Sequence, residues 1–150
     1  MLASSNVPEI KAINDFDTVT AILQFPSGTL GMIDLSRNSS YGYDQRVDVF
    51  GPRGMRNAAN EQPVHCVMSQ IGQTGQRTPP IWYSFASRFR LAYLKEMESF
   101  IDVVNGNGKP AVHAKEIMAV SKIASACEES ARIGKSVEIN WNSDEIPPAY

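Results

Sequence analysis

Two hydrophobic periods divide this chain near residue 80, and no single kind of element satisfies both. Before that point apolar residues tend to recur at every second position; after it they recur at every third or fourth. From Thr18 to Phe25, Val19, Ala21, Leu23 and Phe25 fall on one face of a strand and Thr18, Thr20 and Gln24 on the other, with Ile22 breaking the polarity of that second face. Pro26-Ser27-Gly28 supplies turn chemistry and Thr29 to Arg37 returns, so an antiparallel hairpin is expected over residues 18–37. Further strands are expected from Asp44 to Phe50, from Met55 to Ala59 across Gly51-Pro52-Arg53-Gly54, and from Val64 to Ile71, followed by a loop over residues 72–80.

Beyond the loop, Phe85, Phe89, Tyr93, Met97, Phe100 and Val104 mark an amphipathic helix that Asn105-Gly106-Asn107-Gly108 ends. Ile117, Val120, Ile123, Ala124, Cys127 and Ala131 mark a second helix from Ala114 to Ile133, stopped by Gly134. Val137 to Ile139 has the composition of a last short strand. Strands followed by two helices indicate an α+β domain: a large, mostly antiparallel open sheet with two helices packed on one face. The other face, to which Ile22, Ile33 and Leu35 are assigned, is too apolar for full solvation, and the sheet of another subunit is its natural cover.

The 150 residues, 43% hydrophobic, suffice for one globular domain with a core of its own. A net charge of −2 with scattered Lys and Arg leaves no electrostatic footprint for nucleic acid. The N-terminus lacks a basic start followed by an apolar run, and no apolar stretch is long enough to cross a bilayer, so a soluble cytoplasmic protein without a membrane partner is expected.

Familiar catalytic patterns are missing. GPRG, GQTG and GNGK do not give a GxGxxG between strand and helix, and the Lys of Gly108-Lys109 precedes a proline where a phosphate loop needs a helix with a hydroxyl. His65 falls in an expected strand beside Cys66, His113 falls just before the second helix, and Cys127 lies on that helix's apolar stripe, all positions that packing or capping explains. Pro63 breaks the helical spacing that Glu61 and His65 would need to share a metal, and the two cysteines stand far apart. No catalytic or metal-binding residue is assigned.

What remains is the octapeptide from Ser39 to Arg46, SSYGYDQR. A turn needs Gly42 but not two phenols. Tyr41, Tyr43 and Asp44 on one turn could hold a polyhydroxylated ligand, because phenols donate and accept while a carboxylate accepts strongly from alcohols. The alternative is structural: the phenols pack, and Asp44 pairs with Arg46 two residues on.

The run from Phe16 to Met55, with RFRLAYLKEMESFIDVV and VEI after it, resembles the C-terminal domain of the glucose-fructose oxidoreductase/inositol dehydrogenase (Gfo/Idh/MocA) family, in its inositol 2-dehydrogenase branch. The resemblance covers about Asp15 to Ile139, with Tyr41-Gly42-Tyr43-Asp44-Gln45-Arg46 its most specific piece. It implies a substrate-binding and subunit-assembly domain, 1–150, of an NAD- or NADP-dependent oxidoreductase that oxidises a polyol or sugar, forming homo-oligomers through the open sheet. Tyr43 would contribute a hydroxyl to the polyol with Tyr41 and Asp44 in support, and Tyr93 would lie near the nicotinamide. The family's N-terminal Rossmann domain, its Glu-Lys-Pro lysine and its Asp-x-x-x-His pair are absent from these residues, and Lys109-Pro110, following Gly108, is a decoy. This stretch alone would therefore hold no cofactor and catalyse nothing. The other expectation open at this stage is a non-enzymatic oligomerising or small-ligand-binding module derived from the same domain.

Overall fold

The computed structural model describes residues 1–72, 74, 75, 77–142 and 145. In chain order its elements are β1 (Leu2–Ser4), α1 (Pro8–Ala12), β2 (Thr18–Gln24), β3 (Leu30–Ser36), β4 (Val47–Gly51), β5 (Gly54–Ala58), α2 (Phe85–Arg88), α3 (Arg90–Val104) and α4 (Ala114–Ile133). Antiparallel strands with separate helices make this an α+β fold, the class that the change of period predicts. The strands are hydrogen-bonded as two sheets, one in the order β1-β2-β3 and one of β4 and β5. They belong to two compact units, Met1–Asn38 with Gly108–Tyr150, and Ser39–Asn107.

In the first unit the β2–β3 hairpin forms where the alternation places it. Its pairs run from Thr18 with Ser36 to Gln24 with Leu30. The turn is closed by Phe25 N–H donating to the Thr29 carbonyl at 2.9 Å, and Gly28 takes φ +85°, a conformation other residues resist. Cross-strand partners share a face, and this register corrects one expectation: Ile33 and Leu35 stand opposite Ala21 and Val19, on the inner side. Ala21 there is 3% exposed. The outer face instead joins Ile22, 70% exposed, to its partner Met32, 76% exposed, with Leu30 beside them.

Asp17 locks this sheet at its end. Its carboxylate accepts the backbone N–H groups of Asn6 and Val7 at 2.6 and 2.7 Å, the Thr18 hydroxyl at 2.8 Å and the Asn6 amide at 3.2 Å. Its own N–H donates to the Ser4 carbonyl and its carbonyl accepts from Arg37 N–H, so one residue ties β1, the start of α1, β2 and the end of β3. The residue is 0% exposed, and the Val7 N–H above all, then Thr18 and Asn6, hold its carboxyl below the ordinary 3.8 against the opposing effect of burial.

α4 spans the residues its periodicity marks. The Glu116 carboxylate accepts the His113 backbone N–H at 2.6 Å, which makes His113 the N-cap, and Gly134 closes the helix at φ +66°. Ala119 and Ser130 are its buried residues, and it contacts β1. Val137 to Ile139 forms no strand in the structure: no ladder partner reaches it among the described residues.

In the second unit β4 and β5 pair from Val47 with Ala58 to Gly51 with Gly54. The strand expected over Val64 to Ile71 reduces to one bridge, Met68 with Arg77. Pro63 removes a donor at its start, and Val64, Val67, Met68 and Ile71 are all exposed, so no face gains burial to support a ladder. Within the expected loop 72–80, residues 73 and 76 lie outside the described residues. The first long helix is interrupted at Phe89, whose φ of −110° and ψ of 15° end α2 and start α3.

A tyrosine turn as candidate functional site

The second unit contains all four tyrosine and aspartate positions singled out in the sequence, and it builds the turn around a residue without a side chain. Gly42 is buried with φ +140°. A Cβ there would run into Ile81 Cγ1 and stand 3.1 Å from the Trp82 carbonyl oxygen, so both conformation and space require glycine. Tyr43 N–H then donates to that same Trp82 carbonyl at 2.8 Å.

The two phenols do different things. The Tyr41 hydroxyl donates to Asp44 Oδ2 at 2.7 Å. The Tyr43 ring meets Phe89 edge to face at 5.6 Å between centroids and 87° between planes, and Phe85 at 6.4 Å and 60°. Such pairs fix the ring while leaving it 38% exposed. Phe89 is thus both the break between α2 and α3 and the wall behind Tyr43, with the Arg88 guanidinium 5.0 Å from its ring centroid.

Asp44 is saturated. Besides Tyr41 it accepts Arg46 Nε at 2.8 Å, Arg46 Nη2 at 3.0 Å and Asn60 Nδ2 at 2.5 Å. These donors, Asn60 first, then Tyr41 and Arg46, hold its carboxyl below the ordinary 3.8, and the carboxylate in turn raises the Arg46 guanidinium. The structural alternative for Asp44, pairing with Arg46, is therefore realised alongside the turn.

Asn60 escaped the sequence reading. Its Oδ1 accepts Gln45 N–H at 2.9 Å while its Nδ2 holds Asp44, so it clamps the tyrosine turn to the residues just after β5. Arg88 Nη2 adds a long contact of 3.4 Å to the neighbouring Ala59 carbonyl. The side chains of Ser39, Trp82 and Arg88 each bury a polar atom, Oγ, Nε1 and Nε respectively, without a partner among the described residues.

Tyr93 lies on the first turn of α3, half exposed, its N–H bonded to the Phe89 carbonyl at 2.9 Å. It follows one turn after Phe89, the wall behind Tyr43, but no hydrogen bond joins its phenol to the turn among the described residues. His65 and Cys66 are exposed and His113 serves as a cap. Among the described residues, no three of His, Cys, Asp and Glu gather as metal ligands, and no helix is long and apolar enough to cross a membrane.

Among the described residues, the Tyr41 proton is committed to Asp44, whereas no hydrogen bond engages the Tyr43 hydroxyl. Known proteins carry the same domain. The profile described as "Oxidoreductase family, C-terminal alpha/beta domain" matches residues 2–139. Myo-inositol 2-dehydrogenase of Thermotoga maritima is 36% identical over 131 residues, 87% of this chain and 39% of that protein. Inositol 2-dehydrogenase of Rhizobium meliloti is 34% identical over 125 residues, 83% of this chain and 37% of that protein. The crystal structure of a putative myo-inositol dehydrogenase from Sinorhizobium meliloti superimposes with a TM-score of 0.86 at 31% identity, covering 93% of this chain and 42% of that one. This chain thus spans about two fifths of the length of the relatives it matches.

Proposed function

Since the chain belongs to the oxidoreductase family that carries this C-terminal alpha/beta domain, we propose that it is the substrate-binding and subunit-assembly part of an NAD- or NADP-dependent inositol 2-dehydrogenase-like enzyme. The single observation that carries this is the locked turn: Gly42 admits no side chain, the Tyr43 ring is wedged between Phe85 and Phe89, and Tyr41 is oriented by Asp44. Rigid phenols at fixed positions bind a rigid ring of hydroxyls with little loss of freedom on either side.

In this reading Tyr43 donates to and accepts from hydroxyls of a polyol or sugar. The Tyr41 oxygen, its proton already given to Asp44, accepts. Asp44 works from behind, keeping Tyr41 in place instead of touching the ligand, and Tyr93 lines the nicotinamide side. A bound nicotinamide would supply the hydride acceptor. These residues contain no glycine-rich loop between strand and helix for its phosphates and no Lys and His pair for the hydroxyl proton, so both duties fall to a Rossmann domain N-terminal to this one. Alone, this chain turns over no inositol.

Assembly uses the outer face of β2 and β3, where Ile22, Met32 and Leu30 await the same face of a second copy in the cytoplasm.

Two measurements test the proposal. Titration with myo-inositol followed by NMR shifts the ring resonances of Tyr41 and Tyr43, and Tyr43→Phe weakens binding about tenfold, the equivalent of one lost hydrogen bond; unmoved rings in the wild-type chain at high myo-inositol sink the ligand assignment. Light scattering gives an oligomer that Ile22→Glu with Met32→Glu dissociates, and a monomeric wild type sinks the assembly role.

A further inference from the structure

We propose that Asn60 is the positioning residue of the tyrosine turn: by holding Asp44 and Gln45 together it fixes the Tyr41 hydroxyl as a one-way acceptor for a ligand hydroxyl. This rests on the polyol assignment above and adds to it a residue and a direction of hydrogen bonding.

Three observations converge. First, Asn60 spends both ends of its amide on adjacent residues of the turn, Oδ1 on Gln45 N–H and Nδ2 on Asp44 Oδ1. A side chain with only one kind of polar atom cannot do both, since an acid would have no donor and an amine no acceptor. Second, Asp44 faces four hydrogen bonds from three side chains: Asn60, Tyr41, and Arg46 through two nitrogens. Arg46 is exposed and also feels the charge of Asp48, whereas Asn60 is partly buried and stands just after the end of β5. The guanidinium grips the carboxylate as a two-pronged fork from two residues along the chain, and among the described residues the amide alone ties that carboxylate to a residue outside the turn. Third, a phenol has one proton. With that proton on a charged carboxylate, the exposed lone pairs of Tyr41 can only receive. A ligand must then present a hydroxyl as donor there, a demand an alcohol meets and an ether or a carbonyl does not.

The role of Asn60 is one of orientation, read through Asp44 and Tyr41, and it predicts a signature that general destabilisation would not produce. In Asn60→Leu, carbon-detected NMR of the carboxyl groups shows the Asp44 titration midpoint moving upward, since its leading donor is gone, while the midpoint of Asp17 in the other unit stays where it is. Ring resonances of Tyr41 shift with it, and the dissociation constant for myo-inositol rises about tenfold. Should Asn60→Leu not fold, Asn60→Ser, polar but too short to reach Asp44, gives the same readout. A folded variant in which the Asp44 midpoint and the Tyr41 resonances are unchanged overturns the proposal. If the wild type takes up no myo-inositol while those two signals still move in the variant, Asn60 keeps its hold on the turn and the ligand assignment fails, together with the acceptor role built on it. An O-methylated inositol that binds the wild type as tightly as myo-inositol, whichever hydroxyl is capped, overturns the acceptor role by itself.

Discussion

Asp17 and Asp44 look alike in sequence, each an acid opening the way into a strand, yet the structure employs them oppositely. Around Asp17 the shortest hydrogen bonds come from the main-chain N–H groups of Asn6 and Val7, and the residue is shut away from water. Around Asp44 every donor is a side chain, and one of them is a phenol that itself reaches the surface. A carboxylate bound by backbone fixes the path of the chain; one bound by side chains fixes the direction of those side chains. The difference separates a residue that shapes the chain from one that aims side chains, although hydrogen bonds hold both carboxyls below the usual range.

Breaking the contrast from the Asp17 side has the largest expected effect. Asp17→Leu strands two backbone N–H groups in a buried spot and lowers the midpoint of thermal unfolding by about 10 °C. Its sign with pH is fixed by the lowered carboxyl: the stabilisation is complete above the unfolded value near 3.8 and is lost as pH falls through the folded one, so acid unfolding followed by circular dichroism is steepest below about pH 4 and flattens in Asp17→Asn. Next comes Gly42→Ala, which combines a left-handed backbone with a collision at Ile81 and costs about 3 kcal/mol in chemical denaturation. Tyr41→Phe, removing one exposed phenol bond, costs about 1 kcal/mol and shifts the Asp44 carboxyl upward in NMR titration without touching Asp17. Smallest is Arg46→Met: an exposed ion pair weakens with salt, so its slight loss of stability vanishes in 1 M NaCl.

Legibility in the sequence followed distance along the chain. The β2–β3 hairpin and the span of α4 could be read because alternation, turn residues and a terminal glycine are local signals. The faces of β3 could not be settled locally. Which of Met32 and Ile33 opposes Ile22 depends on where the turn places the register, and a shift of one residue exchanges the two sides. Tyr41, Tyr43 and Asp44 announced themselves by composition, but their division of labour needed Asn60, whose contact with Asp44 spans 16 residues. Asp17 went unnoticed for a related reason: its partners Asn6 and Val7 lie between β1 and α1, elements too short to carry a periodic signature. The break at Phe89 was likewise hidden, since its apolar spacing continues that of a straight helix.

The bare backbone at residue 42 has a consequence for how this protein can change. With even a methyl group barred from its centre, the turn cannot be reshaped from the middle outward. Any change in how the two phenols are presented has to come from the rim, from the aromatic residues at 85 and 89 or from the amide at 60, which hold the turn without sitting at its centre.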